Sequence, residues 1–268
     1  MMPPTPRELM VISAARALVD GQVCFVGIGA PSTAANLARA SHAPQLVLVY
    51  ESGCIGAKPT RLPLSIGDGE LSETSDTVVS VAEIFTYWLQ SGRIDLGFLG
   101  AAQIDRFANL NTTVVGPYDR PTVRLPGAGG APEIAGGCRS VIVMLPQNHR
   151  SFVHRLDFRT TVGFGDGPGD RRRLGYCGAG PQMVVTDLGV LRPDPESNEL
   201  VMTDLHPDVT KEQVRAATGW DLRVAERMGR TRPPSAEELR VLRRLESPQA
   251  SSAGDPRRAE FRQGAPDP

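Results

Sequence analysis

The sequence predicts an α/β fold with parallel strand pairing, and three observations carry that expectation. Apolar runs of strand length alternate with capped, amphipathic helical patterns from residue 5 to about residue 245. The first alternation, over residues 22–50, reads as strand, helix and strand, the crossover that joins parallel neighbours. A chain of 268 residues, 40% of them hydrophobic, is long enough for one large domain or two small ones with a sizeable core.

Each element has its own signal. Thr5 is suited to cap the first helix, with Pro6 at its first position, Glu8 closing a capping box and Gly21 beyond the last periodic residue. Leu9, Ile12, Ala15 and Leu18 then share one face. Residues 22–26 and 46–50 read as buried strands around a short helix at 32–39. Ser80 and Glu83 form a second capping box ahead of Ile84, Tyr87 and Trp88; Gly92 ends that helix and residues 96–99 form the next strand. Residues 140–145 and 183–186 supply further strands. Thr210 with Gln213 caps a helix that stops at Gly219, and a last capped helix runs from Ser235 to about Leu245. The glycine-rich stretch 163–180 around Arg171, Arg172 and Arg173 is expected to be a mobile surface loop, its arginines solvated or facing phosphates. Residues 247–268, rich in Pro, Ser, Ala, Gly and charge, are expected to form a disordered tail.

Bulk properties exclude several classes of function. A formal charge of −1 carries no basic excess, which argues against a nucleic-acid partner. Cys24, Cys54, Cys138 and Cys177 have no C-x-x-C spacing, so they suggest neither a disulfide framework nor structural zinc, and read as free thiols in a reducing compartment. There is no apolar signal-peptide core and no run of about 18 apolar residues. A soluble cytoplasmic protein without a membrane partner is therefore expected. His42, His149, His154 and His206 lack metal-ligand spacing, and no Ser-His-Asp arrangement can be drawn.

Candidate chemistry begins at Glu51, a carboxylate where the strand at 46–50 enters a turn containing Ser52 and Gly53. Ligands of open α/β sheets bind outside the carboxyl ends of strands, so Glu51 is a candidate for chemistry. It could equally cap the turn or pair with Lys58 or Arg61. A third use comes from Gly27-Ile28-Gly29, since a dinucleotide fold places a ribose-binding acid about where Glu51 lies. Against that use, Ser32 occupies the third glycine position and Pro31 stiffens the turn. The alternative is that Gly27 and Gly29 let the helix sit close to the sheet. Gly127-Ala128-Gly129-Gly130 is a G-x-G-G turn whose exposed N–H groups could hold an anion or a developing oxyanion, or simply make a tight turn. Gln103 could orient a carboxylate or acyl oxygen through its amide. Asp105 and Arg106 read as a structural pair, with Asn109 and Asn111 at turn positions.

Residues 50–59 (YESGCIGAKP), 62–68 (LPLSIGD), 97–107 (GFLGAAQIDRF) and 124–131 (RLPGAGGA) together resemble the B subunit of class I CoA-transferases, of the glutaconate CoA-transferase type. The resemblance runs from about Glu8 to Leu245. It implies a single open, mostly parallel-sheet domain over residues 5–246 of the CoA-transferase (NagB/RpiA-like) type. It also implies Glu51 as the covalent nucleophile and Gly127, Gly129 and Gly130 as the oxyanion hole. Beside these, Gln103 is a candidate acyl-binding residue, Ser52, Gly53 and Lys58 are substrate-binding candidates, and Lys58, Arg61 and Arg124 could either meet a substrate carboxylate or be structural. Many relatives have Glu-Asn-Gly where this chain has Glu51-Ser52-Gly53, which puts contacts of that asparagine in doubt. The implied partner is the A subunit of a CoA-transferase, in an A/B heterodimer or higher heteromer that excludes water from the intermediates. The implied substrates are succinyl-CoA and 3-oxoadipate, met in the breakdown of aromatic compounds. No metal, nicotinamide or flavin cofactor is implied. A carboxylate with an unperturbed pKa of about 4.3 is already ionised at neutral pH, so the absence of a triad is no obstacle. Two rivals are a ring-opening CoA-thioester hydrolase of the same fold and a non-catalytic dinucleotide-binding module.

Overall fold

The structure, a computed structural model, describes residues 2–247. A ten-stranded sheet runs in the order Arg223–Arg230, Leu200–Leu205, Gly189–Pro193, Pro181–Val185, Ser140–Met144, Leu96–Leu99, Val23–Phe25, Val47–Val49, Cys54–Ile55 and Thr77–Val78. The five strands from Pro181–Val185 to Val47–Val49 are mutually parallel. Both flanks turn antiparallel, through Cys54–Ile55 and Thr77–Val78 on one side and Gly189–Pro193 and Leu200–Leu205 on the other. The expected open, mostly parallel sheet is what the chain forms.

The sheet is buried on both faces, which is why its central strands read as unbroken apolar runs. Side chains alternate across it. Cys24, Leu48, Phe98 and Ile142 face a core with Leu37 and Leu242, while Phe25, Val49, Leu99 and Val143 face a second core with Ile84, Leu89 and Ile134. The first β-α-β unit pairs Val23 with Val47 and Phe25 with Val49 in parallel, as its pattern predicts.

The helices follow their caps. Capping boxes form at Thr5 and Glu8, Ser80 and Glu83, Thr210 and Gln213, and Ser235 and Glu238. Pro6–Ala15 buries Leu9, Ile12 and Ala15, and its chain regains an extended path only after Gly21, at φ 78°. The helix expected at 32–39 starts two residues earlier, as Ala30–Arg39. The helix after Ser80 departs from expectation more deeply, because three α-helical residues pass into a π-helical turn, Ile84–Leu89. Of the tail expected at 247–268, residues 248–268 lie outside the described residues.

The stretch expected to be a mobile surface loop is instead pinned at both ends. Asn109 is fully buried; its Nδ2 donates to the Gly165 carbonyl (2.7 Å) and its Oδ1 accepts from the N–H groups of Gly163 and Gly165. Arg171, expected to be solvated, is buried and lies 5.0 Å from the Tyr176 ring centre. Its guanidinium donates to the carbonyls of Gly163 (2.8 Å), Ala135 (2.8 Å) and Gly178 (3.1 Å). Arg172 and Arg173 remain at the surface.

The N- and C-terminal helices clasp each other through charge. Glu238 receives Arg16 Nε at 2.6 Å and Nη2 at 2.7 Å, with the Ser235 N–H at 2.7 Å. Burial pushes the Glu238 carboxyl up, but Arg16 and the amide and hydroxyl of Ser235 outweigh it and hold the pKa at about 2, against 4.5 ordinarily. A carboxylate with a lowered folded-state pKa stabilises the fold above its unfolded pKa and loses that contribution as pH falls through the folded value. We therefore expect Glu238→Gln to cost on the order of 2 kcal/mol at pH 7, allowing for solvent screening. The difference from the parent protein should shrink between pH 4.5 and about 2. Thermal unfolding at pH 7 and pH 3 checks this, and a pH-independent difference would count against it.

Candidate active site

Glu51 sits at the tip of a tight turn between Val47–Val49 and Cys54–Ile55, closed by the Gly53 N–H on the Tyr50 carbonyl at 3.0 Å. The turn demands its glycine twice. Gly53 has φ 106°, and a Cβ there would lie 1.9 Å from the Val79 carbonyl oxygen. Tyr50 is fully buried behind the turn, so the backbone that carries Glu51 is fixed while its side chain stays half-buried.

The glycine loop faces it. Leu125 N–H donates to the Thr113 carbonyl (3.0 Å) and Gly127 N–H to the Thr112 carbonyl (2.9 Å), while Thr112 Oγ1 returns a bond to the Gly127 carbonyl (2.7 Å). Thr112 thus brackets the loop from both sides. Gly127 at φ 103° and Gly129 at φ 50° hold backbone conformations that side chains disfavour. Gly130 has an ordinary φ of −85° and is small for another reason. A Cβ there would lie 2.7 Å from Phe85 Cζ and 3.5 Å from Glu51 Oε2. The Gly127 N–H is already committed to Thr112. No intrachain acceptor takes the N–H of Gly129 or Gly130 among the described residues.

Glu51 and the three glycines line one open cleft of about 530 Å³. Gly27, Glu51 and Leu99–Gly100 reach it from the ends of three adjacent parallel strands, the usual ligand position in such sheets. Its other walls include Ile28, Pro31, Phe98, Thr112, Leu125 and Ile134. Glu51 is the one ionisable side chain among the described residues that line it. An apolar cleft with one carboxylate and two free amides can hold an acyl group against the carboxylate. Gly27 and Gly29 do not allow close helix packing, as one reading of the sequence expects: a Cβ on either would meet nothing within 4 Å. Gly29 is required by its φ of 78° at the helix start, and Gly27 leaves the cleft wall open.

Other expected site residues are held elsewhere. The Gln103 amide is spent on Asp157 Oδ2 (2.8 Å) and Asn111 Nδ2 (2.7 Å), and its side chain is not part of the cleft lining. Lys58 is ion-paired with Asp76 at the surface. Ser52 Oγ contacts Cys54 Sγ at 3.7 Å, and neither Ser52 nor Gly53 lines the cleft. Arg61 makes two 2.8 Å bonds to Asp68, and that guanidinium holds the Asp68 carboxyl well below the usual carboxylate range. Arg124 reaches the Tyr118 carbonyl (3.2 Å) and lies over its ring. Asp105 and Arg106 do not pair as expected. Asp105 accepts from Phe107 and Asn109, whereas Arg106 faces Glu199 at 3.5 Å. Asn111 braces Gln103 and the Val114 carbonyl (2.7 Å) from a fully buried position. Thr112 and Phe85 carry no signal of their own in the sequence. Their roles depend on contacts with residues 15 and 45 positions away, which no local pattern announces.

Among the described residues, no group of three His, Cys, Asp or Glu side chains is placed to hold a metal ion, and no helix is long and apolar enough to cross a membrane. His206 is fully buried, bonded to the Thr186 carbonyl (2.9 Å) and Thr231 Oγ1 (2.8 Å), and burial lowers its pKa.

Residues 8–217 match the family model described as Coenzyme A transferase. The chain is 59% identical to the B subunit of the 3-oxoadipate CoA-transferase of Pseudomonas knackmussii, over 92% of this chain and 95% of that one. It is 35% identical to the B subunit of the glutaconate CoA-transferase of Acidaminococcus fermentans, over 82% of this chain and 85% of that one. The crystal structure of that organism's glutaconate coenzyme A-transferase superposes with a TM-score of 0.86 at 30% identity, covering 94% of this chain and 98% of that chain. A more distant relative is the cholesterol ring-cleaving hydrolase IpdB subunit of Rhodococcus jostii, 30% identical over 73% of this chain and 82% of that one.

Proposed function

The chain belongs to the coenzyme A transferase family, and we propose that it is the B-type subunit of an enzyme that moves CoA from succinyl-CoA to 3-oxoadipate through a covalent glutamyl-CoA thioester on Glu51. The observation that carries the mechanism is the meeting of Glu51 with Gly129 and Gly130 in one apolar cleft. The choice of acids rests on the 59% identity to the Pseudomonas knackmussii protein.

In this mechanism a Glu51 carboxylate oxygen attacks the thioester carbonyl of succinyl-CoA. The carbonyl oxygen takes up negative charge, and the N–H groups of Gly129 and Gly130 stabilise it. Collapse breaks the C–S bond, leaving a succinyl-glutamyl anhydride and CoA thiolate. The thiolate then attacks the Glu51 carbonyl, succinate departs, and Glu51 carries the CoA. The carboxylate of 3-oxoadipate repeats these steps in reverse, and Glu51 returns as a carboxylate. Each step exchanges one acyl bond for another, so the sequence draws on no cofactor beyond the CoA thioester. Gly127 serves by holding the loop rather than by donating. Gln103 serves by bracing, through Asn111 and Asp157, the segment that precedes Thr112. The Ser52 hydroxyl, turned to Cys54, replaces the family's asparagine without a contact of its own to substrate.

Anhydride and thioester hydrolyse in water, and the cleft of this chain is open, so an A-type partner chain is assigned as its cover. CoA substrates and free cysteines suit a reducing, cytoplasmic compartment. Co-expression with an A-type partner, followed by assay of succinyl-CoA against a panel of dicarboxylic and keto acids, tests the reading. Transfer to 3-oxoadipate in preference to shorter acids is expected. Release of free CoA or ring-opened acids without transfer would favour the hydrolase instead. Thr112→Val should lower kcat about five- to tenfold with little change in KM, the loss of one loop-holding hydrogen bond. An unchanged kcat would show that the backbone bonds hold the loop alone.

A further inference from the structure

The π-helical turn Ile84–Leu89 is a second unusual feature beside the cleft. Its wider register shows in the Gln90 N–H on the Phe85 carbonyl (2.9 Å) and the Arg93 N–H on the Trp88 carbonyl (3.0 Å), five residues back in each case. Such turns are rare and recur at functional sites. Here it follows directly on a well-capped start at Ser80, so a failure to nucleate helix does not explain it.

Its consequence is the placement of Phe85. The ring lies so close to Gly130 that a methyl group there would clash with Cζ at 2.7 Å and Cε1 at 3.0 Å. Glu51 Oε2 lies 3.5 Å from the same point. Ring and carboxylate therefore flank the same glycine, with the ring behind the loop rather than in the cleft lining. Behind the ring stands Phe25, fully buried at the end of its strand, with ring centres 6.4 Å apart and planes tilted by 58°. Phe25 pairs in register with Val49, two residues before Glu51, so the residue behind the Phe85 ring and the residue that leads to the carboxylate sit side by side on neighbouring parallel strands.

We infer that Phe85 is a positioning residue which shields the Glu51 acyl carbon from water and so sets the balance between CoA transfer and hydrolysis; this rests on the covalent mechanism proposed above. In the competing reaction, a water oxygen bonds to the Glu51 thioester carbon and the C–S bond breaks. CoA leaves as the thiolate and takes one proton of the water, the other proton passes to solvent, and Glu51 returns as a carboxylate. No other reactant is needed, so only access of water limits this loss. An aromatic ring packed on Gly130, beside the carboxylate, closes a direction of approach from behind the loop and fixes the Gly129–Gly130 amides relative to Glu51.

The test uses the assembled two-chain enzyme with succinyl-CoA and no acceptor, following the CoA adduct on this chain by intact mass. Free CoA released per acyl-CoA formed is then measured with acceptor present. Phe85→Ala should shorten the adduct lifetime about tenfold or more and raise the hydrolysed fraction in proportion. Phe85→Leu, which keeps an apolar cover, should fall between Ala and the parent, and it carries the test if the Ala variant does not assemble. A purely structural role would lower transfer and hydrolysis together and leave their ratio unchanged, and that result would overturn the inference. An adduct in the parent enzyme with equal lifetimes in the variants defeats the Phe85 role alone. Absence of any adduct in an active parent enzyme defeats the covalent mechanism, and the Phe85 role with it.

Discussion

Glu51→Gln is expected to abolish CoA transfer, by on the order of 10⁴-fold or more in kcat, because the amide keeps the shape of the side chain and removes the nucleophile. The effect should be confined to chemistry. Among the described residues no ion pair holds the Glu51 carboxylate, and the cleft around it contains no other ionisable side chain. An isosteric change that breaks no salt bridge leaves stability within about 0.5 kcal/mol. Thermal unfolding and association with the A-type partner should therefore match the parent protein, while turnover with succinyl-CoA falls to background. Appreciable turnover in Glu51→Gln would remove Glu51 from the mechanism.

Arg171→Ala carries the largest expected cost in stability. The guanidinium is buried and donates to three carbonyls that belong to three separate segments, at Gly163, Ala135 and Gly178. Truncation strands those acceptors without water, at about 1–3 kcal/mol each before relaxation, and opens a cavity above Tyr176. A loss of about 4 kcal/mol, or roughly 8–16 °C in Tm for a domain of this size, is the expected outcome. Arg171→Lys should recover little, since one ammonium cannot span a fork whose Nε, Nη1 and Nη2 each serve a different carbonyl. Activity should fall along with stability, because Ala135 lies in the helix Ala131–Gly137, whose N-cap is Gly130. Denaturant and thermal unfolding of both variants measure this. A loss below about 1 kcal/mol would mean that the segment relaxes to find new partners.

These two residues mark what the sequence does and does not reveal. Glu51 is legible because its signal is local: an apolar run that ends in a carboxylate and a glycine. The capping boxes at Thr5, Ser80, Thr210 and Ser235 are legible for the same reason, as each joins residues three apart. Arg171 misleads because its partners come from Ala135, Gly163 and Gly178, and a charged triplet among glycines looks the same whether buried or solvated. Gln103 misleads on similar grounds, since an amide at a strand end says nothing about which of its neighbours will claim it. The strand Arg223–Arg230 gives no clear signal because its apolar positions are few and its alternation is broken by charge, as befits the edge of a sheet. The π turn cannot be read at all. Ile84, Tyr87 and Trp88 fit an α-helical face, and only the backbone hydrogen bonds to carbonyls five residues back distinguish the wider register.

The covalent role of Glu51 can be trapped. The assembled enzyme is incubated with succinyl-CoA, reduced with borohydride and digested, and the peptide containing Glu51 is sequenced by mass spectrometry. Reduction of a glutamyl thioester converts the Glu51 carboxyl to an alcohol, and the mechanism requires that change at Glu51 alone, with matching loss of activity. An unmodified Glu51 in enzyme that has lost no activity, or modification at another residue, would contradict it.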